Sequence, residues 1–453
     1  MENIDEIKLE QLKQIQQLLD GEKIEEFREQ FLDMHPYDQA QFFMEIDAAN
    51  RMLLYSYLSP EEVAEMMEHI EIEEIQPFFA EMDPRFASMI FAEMSTDDAV
   101  DILNEMDKDK VVSFLTIMDD EDADEIKDLL HYEEKTAGSI MTTEFISVYK
   151  TQSVKATMVQ LKEEGPDAET IYYLYVVDQD KRLVGVLSLR DLIIAEDDTK
   201  IEAIMSENIF SVSVAEDQEE VAKIMKDYDF LAVPVVDFQH HLLGIITVDD
   251  ILDVIEEEAS EDYSKLAGIT DGDKPDTNPI VAAKKRLPWL VILLFLGLLT
   301  ASLIGQFEAT LSQVTILSIF IPLIAGMAGN TGTQALAVAV RGLATGEYGN
   351  EGKLKLVIRE AGTGLITGTV CGVIITAVIF LWKDNFYLGM LVGLSIMLTL
   401  IVATLAGSLI PILMHRLKID PAVASGPFIT TINDIISVLI YFGLATTFMN
   451  LLL

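Results

Sequence analysis

The sequence predicts a multidomain protein: an all-α domain of helical repeats (residues 1–135), an α/β tandem repeat (136–200 and 201–262), a connecting helix and linker (263–285), and an all-α transmembrane domain of five helices (286–453). Three observations predict it. An apolar residue recurs every twelve positions near the N-terminus, two strand-rich segments echo each other in the middle, and five long apolar stretches crowd the C-terminal part. Charge divides the chain at the same place. From Val281 to Leu453 lie only seven of the 76 acids and ten of the 31 bases, which leaves 69 acids and 21 bases before them, a net −48 against +3.

So acidic a surface repels nucleic acid and anionic lipid and gathers cations, which argues against nucleic acid as a partner. Cys371 is the only cysteine and sits in an apolar run, and the six histidines form no HxxxH pair. Disulfides, thiolate metal sites and soft-metal chemistry therefore lack ligands. The N-terminus, MENIDEIKLEQ, lacks the basic and apolar regions of a signal peptide, so it is expected in the cytosol. No paired catalytic carboxylates and no nucleophile-base spacing stand out, and an enzyme is not expected.

The first domain rests on Met34, Ile46, Leu58, Ile70, Met82, Met94, Met106, Met118 and Leu130, nine apolar residues in one twelve-residue register. Several units open on a capping residue followed by acids or Pro, as in SPEE, DPRF, STDD and DDED. One short helix per unit follows, stacked as a solenoid, with the methionines as packing rather than as metal ligands.

In the second region SIMTTEFISV is echoed by AIMSENIFSV, and YLYVVDQDKRLVGVLSLRDLI by FLAVPVVDFQHHLLGIITVDDIL. The pair resembles tandem CBS domains, with GVLSLRD (Gly185–Asp191) and GIITVDD (Gly244–Asp250) as the matching motif. The resemblance implies an adenine nucleotide such as ATP held by Ser188, Arg190 and Asp191, with Tyr173 and Phe230 beside it. Arg190 is the cation a phosphate needs. A CBS pair that binds nothing is the other reading, because the surrounding acids oppose a polyphosphate that arrives without a cation. EEEASEDY then leads into GITDGDKPDTNP, a connector whose DGDKPD lacks the spacing and terminal Glu of a calcium loop.

The apolar stretches run at about Leu287–Phe307, Val314–Val340, Ala361–Trp382, Phe386–Met414 and Pro427–Leu453, each long enough for a hydrocarbon core of about 30 Å. Lys284, Lys285 and Arg286 precede the first, Arg341, Lys353, Lys355 and Arg359 follow the second, and Arg416 and Lys418 precede the fifth, with only Lys383 on the other side. The positive-inside pattern predicts a multi-pass protein of the cell (inner or plasma) membrane, N-terminus cytosolic and C-terminus outside.

Asp434 lies inside the fifth stretch, where a carboxylate costs roughly 2.5–3.5 kcal/mol and demands a partner, water or an ion. Thr430, Asp434, Ser437 and Tyr441 share one helical face, as do Gly326, Asn330, Thr333 and Ala337 on the second stretch. Interhelical packing accounts for either stripe alone, whereas Asp434 favours a water-filled path lined by oxygens, built on a two-fold axis.

PLIAGMAGNTGTQ (Pro322–Gln334) and DPAVASGPFITTINDIISVLIYF (Asp420–Phe442), together with the domain order, resemble the MgtE family of magnesium transporters over nearly the whole chain. The resemblance implies a homodimeric Mg2+ pore in membrane lipid, lined by the second and fifth helices, with hydrated Mg2+ at Asp434 and oxygens from Asn330 and Thr430. It also implies closure by Mg2+ at Asp97, Asp217, Glu219, Asp229, Asp250, Asp253, Glu258, Glu261, Asp262 and Asp420. Gly426, where some relatives carry a polar side chain, offers none. Mn2+ or Co2+ share this oxygen chemistry, and a membrane-anchored nucleotide sensor is the rival of another class. An anchor would not need Asp434.

Overall fold

The computed structural model describes residues 2–269, 278–344, 350–421 and 424–449, in two units, Met1–Ile255 and Glu256–Leu453. DGDKPD lies outside the described residues.

The twelve-residue register becomes helices that start every twelve residues: after α1 (Glu2–Asp20) come α2 (Ile24–Leu32), α3 (Pro36–Glu45), α4 (Ala48–Tyr57), α5 (Pro60–Met67), α6 (Ile72–Glu81), α7 (Pro84–Glu93), α8 (Thr96–Asn104), α9 (Lys108–Ile117) and α10 (Asp120–Leu129). Each repeat residue sits not within a helix but just after one. Ile46, Leu58, Met82, Met94 and Met118 are C-caps in extended conformation, and all five are buried. The next residue caps the following helix: Asp47 accepts from Asn50 N, Asp83 from Arg85 N, and Ser59 forms a capping box with Glu62. Pro36, Pro60 and Pro84 occupy the first helical position, where no N–H is missed. A buried apolar residue, a cap and a helix thus repeat as one module. Alternate helices pack together, α3 on α5, α5 on α7 and α7 on α9, with α6 on α8 and α8 on α10 alongside. Arg28 grips Glu62 at 2.6 and 2.8 Å, and Arg51 grips Glu81 at 2.8 and 3.0 Å, each tying one module to a later one.

The tandem repeat folds as two matching halves. The first holds β1 (Ser147–Tyr149), α11 (Val154–Glu164), β2 (Tyr173–Val177), β3 (Leu183–Ser188) and α12 (Leu189–Ile194); the second holds β4 (Val212–Ser213), α13 (Gln218–Tyr228), β5 (Ala232–Val236), β6 (Leu242–Thr247) and α14 (Val248–Ala267). In each sheet the first strand pairs parallel and the third antiparallel with the middle one. The halves also exchange segments. Thr142 pairs with Ile245 of the second half, and Ser206, its echo in AIMS, pairs with Val186 of the first. A Cβ on Gly185 would stand 2.5 Å from Met205 Sδ, and one on Gly244 would stand 2.9 Å from Met141 Sδ. The glycines of the two motifs therefore seat the methionines of the two echoed segments.

Helix α14 continues through Ala267, so the connecting helix is an extension of the last helix of the second half rather than a separate element beginning at 263. Nothing in VDDILDVIEEEASEDYSKLA stops a helix before Gly268, whose φ is +76°.

The second unit continues with α15 (Pro279–Gln306), α16 (Glu308–Gln313), α17 (Ile321–Ala344), α18 (Asn350–Lys383), α19 (Phe386–Arg416) and α20 (Gly426–Thr447). Five of these, all but α16, belong to spans long and apolar enough to cross a membrane. The second opens with a 3-10 segment, Thr315–Phe320, and becomes α-helical at Ile321, with Pro322 in the first turn, where its missing N–H leaves no bond unmade. Helix α19 packs on α17, α18 and α20, while α15 packs on α20 and has no buried residue of its own. Glycines set the close approaches: Gly372 meets the backbone of Gly393, and Gly407 meets the carbonyl of Gly332.

Candidate ion path and acidic contact

In the membrane unit α17 and α20 meet on small residues. Gly329 receives Thr430, and Gly332 receives the amide of Asn433, which would lie 1.9 Å from a Cβ at 332. The Thr333 and Thr430 hydroxyls stand 3.4 Å apart, each also donating to a carbonyl one turn back, Gly329 O at 3.0 Å and Gly426 O at 2.9 Å. Thr430 and Asp434 are half-buried along one side of α20, and Asn330 is exposed on α17 next to Gly329. The three predicted pore residues therefore lie on the two helices that meet here, Asn330 on α17 and Thr430 and Asp434 on α20. Gly326, Asn330 and Ala337 remain exposed along α17, a strip of small and polar residues that this chain does not cover.

The stripe on α20 is shorter than the spacing predicts. Ser437 and Tyr441 are 0% and 1% exposed, and their hydroxyls donate inward, Ser437 to Asp434 O and Tyr441 to Leu317 O, both at 2.9 Å. They are packing residues. Helical spacing cannot tell a hydroxyl that faces water from one that satisfies a neighbouring backbone carbonyl.

In the first unit the start of α8 rests on the tandem repeat through acids and hydroxyls. Thr96 Oγ1 lies 3.1 Å from Thr143 Oγ1 and 3.5 Å from Glu144, Ser95 N donates to Glu68 at 3.0 Å, and Ser95 Oγ reaches Glu169 at 3.4 Å. Asp97 is buried here, and its Oδ1 lacks a hydrogen-bond partner. Burial, with Asp250, Asp98 and Glu169 adding repulsion, pushes its carboxyl well above the ordinary range. Asp98 is raised likewise, by burial and then Glu68 and Asp250. Burial with Glu169 and Glu68 raises Glu144 to about 7. Burial lifts Asp250 to about 6, though Thr247 donates to it at 2.6 Å. Such a donor set of carboxylate and hydroxyl oxygens, raised together, fits a hard cation better than it fits itself. Among the described residues, no three His, Cys, Asp or Glu stand close enough to coordinate one ion as they are.

Sequence reasoning named Asp97 and Asp250 and missed Glu68, Asp98, Glu144, Glu169 and Asp249. One signal was available: where the first motif has Arg190, the second has Asp249. The other predicted regulatory acids are dispersed. Asp217 caps the start of α13 and Asp229 its end, about 18 Å apart by helix rise, and Asp217, Glu219, Asp229 and Asp253 are exposed. Glu258, Glu261, Asp262 and Asp420 belong to the second unit, where Lys265 bridges Glu261 and Asp420 at 2.5 and 2.6 Å.

At the nucleotide motif Ser188 caps α12, donating to Asp191 at 2.6 Å and accepting from Asp191 N, while Arg190 is exposed beside them. In the second half the Thr247 hydroxyl likewise donates to Asp250 at 2.6 Å, but there it is the Thr247 N–H, at 3.3 Å, that also donates to the Asp250 carboxylate. Tyr173 starts β2, and Phe230 stacks on Tyr228 with ring centres 5.4 Å apart.

Known proteins match this arrangement from end to end. Residues 321–444 match a divalent cation transporter family, MgtE; 34–135 match the MgtE intracellular N domain; and 137–198 and 201–257 match CBS domains. The chain is 56% identical to the magnesium transporter MgtE of Enterococcus faecalis over 443 residues, 97% of this chain and 98% of that one. It is 43% identical to the Bacillus subtilis magnesium transporter MgtE, covering 96% of both chains. Among solved structures, the soluble part of a magnesium transporter superimposes with a TM-score of 0.55 at 51% identity, covering 56% of this chain and 99% of that chain. The cytosolic domain of the Mg2+ channel MgtE in complex with ATP gives 0.51 at 37% identity, covering 54% and 99%. With helical repeats, paired CBS domains and five apolar spans in the order those relatives share, this chain belongs to the MgtE family of magnesium transporters, a class that is not enzymatic.

Proposed function

We propose that the chain forms a homodimeric Mg2+ channel in the cell membrane, opened and closed by Mg2+ on its cytosolic side. The observation that carries the reading is Asp434, half-buried one turn from Thr430 on α20, the helix that packs on the α17 bearing the exposed Asn330. Mg2+ keeps much of its water, so it needs few carboxylates and several neutral oxygens, which this trio supplies. The uncovered strip on α17 suits a second copy across a two-fold axis, doubling Asp434. With basic residues on the cytosolic face, the N-terminal unit lies inside and the C-terminus outside. An inside-negative potential gives a dication roughly 4.6 kcal/mol per 100 mV, so uptake needs no other energy source.

Feedback follows from the acids. The α8 contact holds carboxylates that oppose one another until protons or cations neutralise them, and Mg2+ that binds the joined form preferentially stabilises it. The exposed acids Asp217, Glu219, Asp229 and Asp253 serve contacts made within the full dimer. ATP, bound by the cytosolic domain of a relative, fits the open motif at Ser188, Arg190 and Asp191 with Tyr173 and Phe230 beside it.

The test is Mg2+ uptake into proteoliposomes under a negative potential, comparing the wild type with Asp434→Ala. Uptake that needs Asp434 and falls as Mg2+ rises on the cytosolic-domain side supports pore and feedback. Equal flux in both proteins would remove the pore reading and favour a nucleotide sensor on a membrane anchor.

A further inference from the structure

Lys265 lies in the last turn of α14, and its ammonium joins two carboxylates, Glu261 on its own helix at 2.5 Å and Asp420 in the segment before α20 at 2.6 Å. Asp262 and Glu258 face the same place: burial raises the Asp262 carboxyl, with Asp420, Glu258 and Glu261 adding to the rise and Lys265 opposing it. The pair anchors a larger contact. Leu266 packs on the cluster of Leu336, Val340, Ala424 and Ile429, and Gly268 turns the chain against Pro427. The helix end that precedes the first span is thereby held on the start of the last span. Lys265 is thus a cation shared by carboxylates of two segments.

We propose that Lys265 is a positioning residue of this docked state, a tethered counter-cation that holds the end of α14 on Asp420 without metal and so sets how much Mg2+ is needed to complete docking. The inference rests on the feedback reading given above. Its physical content is a competition for one seat. The two oxygens lie 2.5 and 2.6 Å from one ammonium nitrogen, so Glu261 and Asp420 cannot both coordinate Mg2+ at about 2.1 Å, with its waters, until the lysine leaves. While Lys265 stays, Mg2+ has Asp262 and Glu258 to bind. Without the lysine, Glu261 and Asp420 lose the ammonium that joins them, and a divalent ion gains the vacated seat. Wild-type docking is therefore less dependent on Mg2+ and shallower in its response, and a neutral residue at 265 makes it more dependent and steeper.

The experiment uses the full-length protein in nanodiscs, with Leu266→Cys in a Cys371→Ala background and maleimide labelling of position 266 as the measure of undocking. With no Mg2+, Lys265→Met is expected to label up to about fivefold faster than the parent, the upper end for a partly exposed ion pair. Its labelling should then slow more steeply as Mg2+ is added. Lys265→Arg should label like the parent, and the exchange Lys265→Glu with Asp420→Lys should restore slow labelling that Lys265→Glu alone loses. Parental labelling by Lys265→Met without Mg2+, or an exchanged pair no better than Lys265→Glu, would overturn the proposal. A parent that ignores Mg2+ would remove the feedback reading, and with it the magnesium part of the proposal. Accelerated labelling of Lys265→Met in that parent would support only the clamp.

Discussion

Replacing Asp250 by Asn tests whether the α8 contact is a cation-operated joint. The carboxyl is held up at about 6 against an ordinary 3.8, so keeping it ionised at pH 7.5 costs the joined form about 3 kcal/mol. Asn retains the oxygen that accepts from Thr247 and removes the charge. The joined form should then gain up to about 3 kcal/mol without metal, or up to about a hundredfold in its equilibrium, and lose a ligand for Mg2+. In the wild type the joined form binds more protons than the separated one between the ordinary carboxylate range and the raised values, about 6 for Asp250 and about 7 for Glu144. Its stability therefore falls as pH rises through that window and is regained when Mg2+ replaces the protons. Hydrogen exchange at the amides of α8 reads this directly. Wild-type protection should be low at pH 8 without Mg2+ and high either at pH 5.5 or with Mg2+, whereas Asp250→Asn should be better protected than the wild type at pH 8 without Mg2+ and gain less from added Mg2+. An Asp250→Asn protein whose α8 protection still rises with Mg2+ as in the wild type would refute the reasoning.

Gly332→Ala places a Cβ 1.9 Å from Asn433 Nδ2, so α17 and α20 must separate; thermal stability should drop by about 1–3 kcal/mol and Mg2+ flux should fall. Gly297→Ala on α15, where a Cβ meets nothing within 4 Å, should melt within about 1 kcal/mol of the wild type in the same calorimetric or fluorescence assay. Arg190→Glu puts a carboxylate where a phosphate needs a cation, so ATP binding measured by titration calorimetry should weaken at least about tenfold, with the cap made by Ser188 and Asp191 intact.

The architecture was legible because each domain repeats a physical constraint. A twelve-residue apolar register, two echoed strand segments and five apolar spans leave little choice of fold, and all three reappear as helices, sheets and spans. The register left one thing open, where in each unit its residues lie. An apolar residue directly before a cap serves as the plug that closes one module and seats the next. At the site, Asp434 was legible because a carboxylate in an apolar run has few explanations. Ser437 and Tyr441 were not, because a hydroxyl can be satisfied by a carbonyl far away in sequence, as Tyr441 is by Leu317. Glu68, Glu144 and Glu169 were hidden for a related reason. Each is an ordinary surface acid in its own segment, and only the packing of α8 on the tandem repeat brings them together.

The two CBS halves show how one geometry is turned to opposite charges. Ser188 with Asp191 and Thr247 with Asp250 make the same hydroxyl-to-carboxylate bond at a helix start, in halves joined by the exchange that pairs Thr142 with Ile245 and Ser206 with Val186. At the next position they diverge: Arg190 stands exposed in the first half, and Asp249 takes its place in the second. A hydroxyl, a carboxylate and a guanidinium suit a ribose and phosphate. Replace the guanidinium with a carboxylate, add Asp97 from α8 and Glu169 from the first half, and the same start becomes a place where only a cation relieves the repulsion. The two ligands would then meet on one small module. A nucleotide that brings negative charge to the first half should raise the local demand for Mg2+ in the second, which is coupling of the sign expected when both bind the joined form.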